Sequence, residues 1–420
     1  MSLVWIVGGL FLATYAIIVS ERVDRTIVAL LGGILMVLIG VFDQQHAFDA
    51  VDWNVIFLLA GMMIVANLLR ETGIFQWIAV KAVQLGRGQP FQILVILSLI
   101  TAVASALLDN VTIVILVAPV TLYTAASLKI SPVPFLIAEI LASNIGGSAT
   151  LIGDPPNILI GSAADLDFST FALNMAPPAI IILIVFIGLS WFLFRRDLDS
   201  MGDASLDINA LDTKALITDK RLLIKGGIVT GFMIIGFLLH GELHIEPATI
   251  ALAGAMVLLL WGGSDVHHAL REVEWTTLFF FIGLFIMVEA IVTVGIIEQL
   301  SQALLNLTGG NLATTSMLLI WMSSIASGII DNIPYTATMI PIVENLGQTL
   351  PVRPLWWSLA LGACLGGNAT LVGASANLVV ANLATRSGHP IRFGTFLKYG
   401  LVTTFISLVI ASAYIWLRYL

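Results

Sequence analysis

The chain is short of charge, of cysteine and of clustered metal ligands. Lys, Arg, Asp and Glu make up 10% of its 420 residues, against about 25% in ordinary soluble domains. So few charges cannot clothe a water-facing surface, which excludes an ordinary soluble domain. The basic residues form no patch interleaved with aromatics, so nothing supports nucleic-acid binding. A single cysteine, Cys364, excludes an internal disulfide and any multi-cysteine metal site. The histidines make no His-Glu-x-x-His pattern and read as interfacial residues rather than ligands. No nucleotide-binding P-loop is present, so direct ATP drive would need a separate ATPase subunit. The net charge of −8 says little about partners, because the 26 acids are spread along the chain, with six of them between residues 196 and 221.

What is present is apolar. Hydrophobic residues are 59% of the chain and its mean hydropathy is +1.02. Apolar runs recur at 3–19, 26–42, 54–69, 176–194, 222–239, 247–261, 276–292 and 396–417. A membrane span needs roughly 20 such residues. The expectation is an all-α polytopic protein of the plasma (inner) membrane, surrounded by lipid. The first run has no basic residue before it and no clear cleavage site, so it reads as a retained span.

The sequence also reads twice. "WNVIFLLAGMMIVANLLRETGI" from Trp53 and "WTTLFFFIGLFIMVEAIVTVGI" from Trp275 align at an offset of 222. The same offset pairs "LLDNVTIVILVAP" with "IIDNIPYTATMIP", and so Asp109 with Asp331 and Asn110 with Asn332. At an offset of 220, "GGSATLIGDPPN" pairs with "GGNATLVGASAN". The expected organisation is a first repeat at 1–195, a polar cytoplasmic linker at 196–221 and a second repeat at 222–420.

Basic residues mark the cytoplasmic side. With the N-terminus outside, and five spans plus one re-entrant hairpin in each half, all but Arg353 and Arg418 of the 18 basic residues lie inside. An odd number of spans inverts the second repeat, a signature of secondary transporters.

The hairpins are expected at 91–128 and 312–346, with Asp109-Asn110 and Asp331-Asn332 at their tips. An acid at membrane depth is costly and usually faces a cavity. A helix-capping aspartate at a break is the bland alternative. The segments 133–160 and 355–385 read as broken helices, because Gly146-Gly147 and Gly366-Gly367 favour unwinding. Irregular backbone at that depth is tolerated only where it is buried or lines a cavity, and there it offers free carbonyls and N–H groups to a ligand. Candidate site residues are therefore Asp109, Asn110, Thr112, Asn144, Gly146, Gly147, Ser148, Thr150, Asp154 and Asn157, with Asp331, Asn332, Gly366, Gly367, Asn368, Thr370 and Asn377. A sodium ion is expected at Asp109, Asn110, Gly146 and Thr150. Asp154 precedes two prolines, so capping of the restarted helix competes with ion handling as its role. Glu139, Glu289 and Glu344 lie within or near spans without an acidic partner in the other half. Residues 74–86 resemble an interfacial amphipathic helix anchored by Trp77 and Lys81.

"DNVTIVILVAPV" followed by "AEILASNIGGSATLIGDPPNILI" resembles the arsenite permease and P-protein branch of the ion transporter superfamily, whose domain is citrate-transporter-like. The resemblance covers nearly the whole chain. It implies two hairpin tips meeting two broken helices near the midplane, and an elevator-like movement of that core against a scaffold. Related symporters carry Ser-Asn-Thr at the tips, where this chain has Asp-Asn-Val and Asp-Asn-Ile. No Lys or Arg lies in the motif segments to offset the aspartates, which favours a neutral or cationic solute. Burial favours the neutral form of a carboxyl group, which suits a proton carrier.

The leading expectation is proton- or sodium-coupled efflux of arsenite or antimonite. A sodium/proton antiporter and an anion transporter of the same superfamily follow. No cofactor is expected; the coupling ion is H+ or Na+, and a homodimer is compatible with such a chain. An intramembrane aspartyl protease would use Asp109 and Asp331 as its dyad, but neither lies in a Gly-x-Gly-Asp or Tyr-Asp context. Nothing in the sequence excludes a channel using the same tips.

Overall fold

Lipid offers no hydrogen bonds, so each segment crossing it must satisfy its own backbone. The chain answers with helices. A computed structural model describes residues 2–20, 22–87, 89–128, 130–199 and 216–420, and no strand occurs among them. The first half contains α1 (Ser2–Ser20), α2 (Arg25–Leu38), α3 (Gln44–Asp49), α4 (Trp53–Glu71), α5 (Ile74–Leu85), α6 (Pro90–Leu107), α7 (Asn110–Leu128), α8 (Val133–Gly147), α9 (Pro155–Ala163) and α10 (Phe168–Asp199). The second contains α11 (Lys220–Leu243), α12 (Pro247–Gly262), α13 (Val266–Arg271), α14 (Trp275–Thr293), α15 (Ile296–Thr308), α16 (Leu312–Ile329), α17 (Asn332–Leu346), α18 (Val352–Gly366), α19 (Ser375–Arg386) and α20 (Phe393–Tyr419). The second series follows the first element for element. Among the described residues, eight helices are long and apolar enough to cross a membrane.

The polar linker expected at 196–221 overlaps helix at both ends. Helix α10 continues to Asp199 and α11 starts at Lys220; residues 200–215 lie outside the described residues, as does Lys129.

The packing exchanges partners between halves. Helix α2 lies against α14, and α4 against α12. Glycines allow the close approach at each crossing. A Cβ on Gly61 would sit 2.7 Å from the Ala251 carbonyl carbon, and one on Gly283 would sit 2.5 Å from that of Ala29. Small residues let helices approach where no hydrophobic effect drives them together. Polar contacts hold the ends of these helices. His46 on α3 meets Glu289 on α14 at 2.8 Å, and His268 on α13 meets Glu71 on α4 at 3.2 Å. Arg70 pairs with Glu272. Glu289 thus ties the short helix α3 to α14. On α5, the Lys81 ammonium lies 5.9 Å from the Trp77 ring centroid.

At the centre, α8 is buried from Pro134 to Gly147 and α18 from Pro354 to Gly366. Helix α6 packs along α8 and α16 along α18. The second hairpin arms cross over: α7 lies against α19, and α17 against α9. The polar tips of both halves are thereby brought to one place inside the bundle.

Candidate transport site

Helix α6 stops at Leu107 and α7 restarts at Asn110, leaving Leu108 and Asp109 as the turn. Ile330 and Asp331 form the matching turn between α16 and α17. Each tip is stitched to the break of its own half. The Asn110 amide donates to the Gly153 carbonyl at 3.1 Å, and the Asn332 amide to the Gly373 carbonyl at 3.1 Å.

The breaks lie later than the glycine pairs suggest. Helix α8 runs through Gly147, so the irregular stretch is 148–154; in the second half it is 367–374. Gly146 and Gly366 serve close approach rather than unwinding. A Cβ on Gly146 would lie 2.1 Å from the Ala102 carbonyl oxygen, and one on Gly366 would lie 2.6 Å from the Ser324 Cα. Each glycine lets a hairpin arm press on the broken helix.

The freed carbonyls are largely taken. Asn157 Nδ2 donates to the carbonyls of Gly147 and Thr150 at 3.0 and 2.9 Å. Asn377 Nδ2 repeats this with Gly367 and Thr370 at 2.7 and 2.8 Å. The Thr150 and Thr370 hydroxyls donate to the carbonyls of Ala106 and Gly328 at 2.5 and 2.6 Å. Ser148 donates to the Ile145 carbonyl at 2.7 Å, a bond within its own helix end. The expected sodium ligands Gly146 and Thr150 are engaged in the same way, because the Gly146 carbonyl accepts from Ala149. Side chains thus meet the Gly147, Thr150, Gly367 and Thr370 carbonyls, as burial favours.

An amide chain then crosses between the halves. Asn110 Nδ2 donates to Asn144 Oδ1 at 3.1 Å. Asn144 Nδ2 donates to Asn368 Oδ1 at 2.9 Å and to Asn377 Oδ1 at 3.0 Å. Asn368 reaches back to the Leu141 carbonyl at 3.3 Å. Cys364 donates to Asn157 Oδ1 at 3.2 Å. Amides carry both donors and acceptors, so they can close such a network without placing charge in the membrane.

The carboxyl groups differ. Asp109 Oδ2 accepts from the Thr112 amide and hydroxyl, each at 2.9 Å. Its Oδ1 is buried with no partner among the described residues, and so is Asn110 Oδ1. Asp331 is fully engaged. Its Oδ1 accepts from the Ile333 amide at 3.0 Å, and its Oδ2 accepts from Arg25 Nη1 at 3.1 Å and Ser375 Oγ at 2.5 Å. The motif segments hold no basic residue, as the sequence shows, yet Arg25 supplies a cation to Asp331. It arrives from α2, outside every motif.

Asp154 does not cap α9. It stands at the N-cap position without a side-chain capping bond. Its carboxylate instead faces Asn332 Nδ2 of the opposite tip at 3.3 and 3.4 Å, within electrostatic reach of Asp109 and Asp331. Three carboxyl groups and one guanidinium thus meet around the two tips.

Sequence reasoning missed Arg25 and Ser375. Arg25 carried a signal only as a topology marker, and Ser375 only as the residue facing Pro155 in the repeat. It also set Glu139 aside. That residue is buried in α8 and accepts from the Thr121 hydroxyl at 2.5 Å.

Helices of spanning length, a polar junction buried between two halves and acids held at its centre define a polytopic membrane transporter. The comparisons identify its kind. A family model described as "Citrate transporter" matches residues 15–362, and the chain belongs to that family, within the ion transporter superfamily. An uncharacterized transporter of Mycobacterium tuberculosis (strain ATCC 25618 / H37Rv) is 47% identical over 97% of this chain and 97% of its own. The P protein of Homo sapiens is 33% identical over 98% of this chain, which spans 59% of that protein. Among solved structures, the YdaH transporter of Alcanivorax borkumensis aligns with a TM-score of 0.60 at 14% identity, covering 91% of this chain and 87% of that one. That likeness is one of fold. The protein is an integral plasma-membrane transporter, and its role is transport rather than catalysis.

Proposed function

We propose that this protein is a cation-coupled secondary transporter in which Asp109 takes up the coupling ion, a proton or Na+. The observation that carries this reading is the pair of buried, unpartnered oxygens at the first tip, Asp109 Oδ1 and Asn110 Oδ1. A buried charged oxygen without a partner is costly. A proton on Asp109, or a Na+ between these oxygens, removes that cost. Asp154 adds a second acid nearby, while the guanidinium of Arg25 faces Asp331 rather than Asp109.

The two inverted repeats present this junction alternately to each side of the membrane. In an elevator-like cycle the tips and broken helices move as one core. The expectation of arsenite or antimonite efflux rested on the family resemblance and on motif segments that carry no basic residue. Arg25 weakens the charge argument, and the family description favours an anionic solute such as citrate.

Purified protein in proteoliposomes tests the reading. Citrate, sulfate, arsenite and antimonite are offered under an imposed proton or Na+ gradient. One solute should accumulate only while the gradient lasts, and Asp109→Asn should abolish accumulation. Flux that ignores both gradients would make the protein a channel.

A further inference from the structure

The two tips read Asp-Asn alike, yet their surroundings are opposite. Asp331 faces Arg25 and Ser375. At the repeat offsets those two positions are Pro247 and Pro155 in the other half, and neither can donate a side-chain hydrogen bond. A duplicated tip has therefore acquired a cation at one copy only.

Arg25 is held by more than its ion pair with Asp331. Its Nη1 makes both contacts, to Asp331 Oδ2 at 3.1 Å and to Ser375 Oγ at 2.6 Å. Its guanidinium carbon lies 5.1 Å from the Phe280 ring centroid, a cation–π contact that braces the group from a third side. Among the described residues, Nη2 and Nε make no hydrogen bond that competes for an incoming group. The side chain borders a cavity of about 300 Å³ that also contains Arg22, Asp24, Asp331, Ser375 and Asn382. Asp24 is occupied in capping α2, accepting from the Thr26 amide at 2.9 Å and the Ile27 amide at 3.3 Å. The side chain of Arg25 is 33% exposed and that of Asp331 12%. Solute entering the cavity therefore meets a planar guanidinium whose present carboxylate ligand is part of the protein.

We infer that Arg25 is the solute-recognition residue of this cavity, and that Asp331 is its tethered occupant, displaced when a small carboxylate or oxyanion arrives. The inference rests on the transporter reading above and names the residue that selects the solute. Arginine pairs with carboxylates and oxyanions through two parallel bonds, and the single bond given by Asp331 is weaker than the fork an external anion can form. Ser375 donates to whichever carboxylate is present. The arriving anion also frees the second tip from α2. A scaffold contact is thereby broken by the solute itself, which ties binding to movement.

Binding of citrate, sulfate and phosphate to purified full-length protein, read by isothermal titration calorimetry, tests this without any flux measurement. Asp331→Asn removes the competitor and should tighten the preferred anion roughly tenfold. Arg25→Gln should abolish binding, and Arg25→Lys should weaken it, because a point charge cannot replace the fork. Arg25→Gln/Asp331→Asn should bind no better than Arg25→Gln. Unchanged affinity in Arg25→Gln overturns the inference. So does an Asp331→Asn protein that binds its anion no tighter than wild type, or that binds none of the three. Either of the first two results leaves cation-coupled transport standing. A failure of coupling in proteoliposomes with these affinities as expected would instead remove the transporter mechanism and keep the anion seat.

Discussion

At the residue scale, the two tip aspartates illustrate how identical motifs acquire different chemistry. Asp109 and Asp331 sit at equivalent turns, but one keeps an idle buried oxygen and the other has none. Asp109→Asn retains an acceptor for Thr112 and loses the ionisable group, so gradient-driven accumulation should vanish with little change in melting temperature. A variant that still accumulates solute under a gradient would exonerate Asp109. Cys364 belongs to the opposite category. It is buried and donates to Asn157, a bond that serine can replace. Cys364→Ser should transport at the wild-type rate, and a maleimide should leave wild-type flux unchanged; inhibition by the reagent would show the thiol to be reachable. The pairing of the tips was legible as a repeat. The role of Asp154 was not, because an Asp before two prolines has the sequence of a cap, and only the approach of Asn332 shows where the carboxylate points.

At the element scale, the glycines act by permitting contact. Gly146→Ala and Gly366→Ala would force backbone apart at the α6–α8 and α16–α18 crossings. Overpacking costs roughly 1–3 kcal/mol, so both should lower the melting temperature before any ligand is added. Gly231→Ala in α11, where a new Cβ meets nothing within 4 Å, is the control and should be neutral or stabilising; equal losses in all three would remove the packing explanation. Asp167, just before α10, gives a pH prediction. Burial pushes its carboxyl up, but the Thr170 hydroxyl and amide outweigh this and hold it below the usual carboxylate range. A depressed folded-state value stabilises the protein above the ordinary Asp range near pH 4, and the benefit is lost as pH falls through the depressed value. Asp167→Asn should therefore flatten the acid limb of melting temperature against pH; an unchanged limb would place acid sensitivity elsewhere. Spans and breaks were legible within a few residues, since apolar runs and Gly, Pro and Asp punctuation are local. The continuation of α8 through Gly147 was not, because a glycine pair reads alike whether it unwinds a helix or admits a neighbour.

At the scale of the whole molecule, each half completes the other. Helices α7 and α17 lie against the restarted helices of the opposite half, and Asn144 bonds to Asn368 and Asn377 across the junction. Neither half should bind solute alone. Co-expressed fragments divided within 200–215 should recover transport, while either fragment alone should not; activity in one fragment would contradict a shared site. The distribution of basic residues is the ground for expecting the segment between the halves in the cytoplasm. Ser205→Cys should resist membrane-impermeant thiol reagents in intact cells; labelling from outside would invert the topology. Composition alone determined the helical membrane class, because lipid admits few charges and no unpaired backbone. The repeat marked the segments that meet at the junction, because a duplicated motif survives as a match at fixed spacing. The tertiary structure alone decided which aspartate is paired, since Arg25 and Asp331 stand 306 residues apart and the repeat register offers Arg25 no counterpart. Local pattern records which side chains a span carries. Charge pairing depends on distances of a few ångströms between spans, and only the packed bundle sets those.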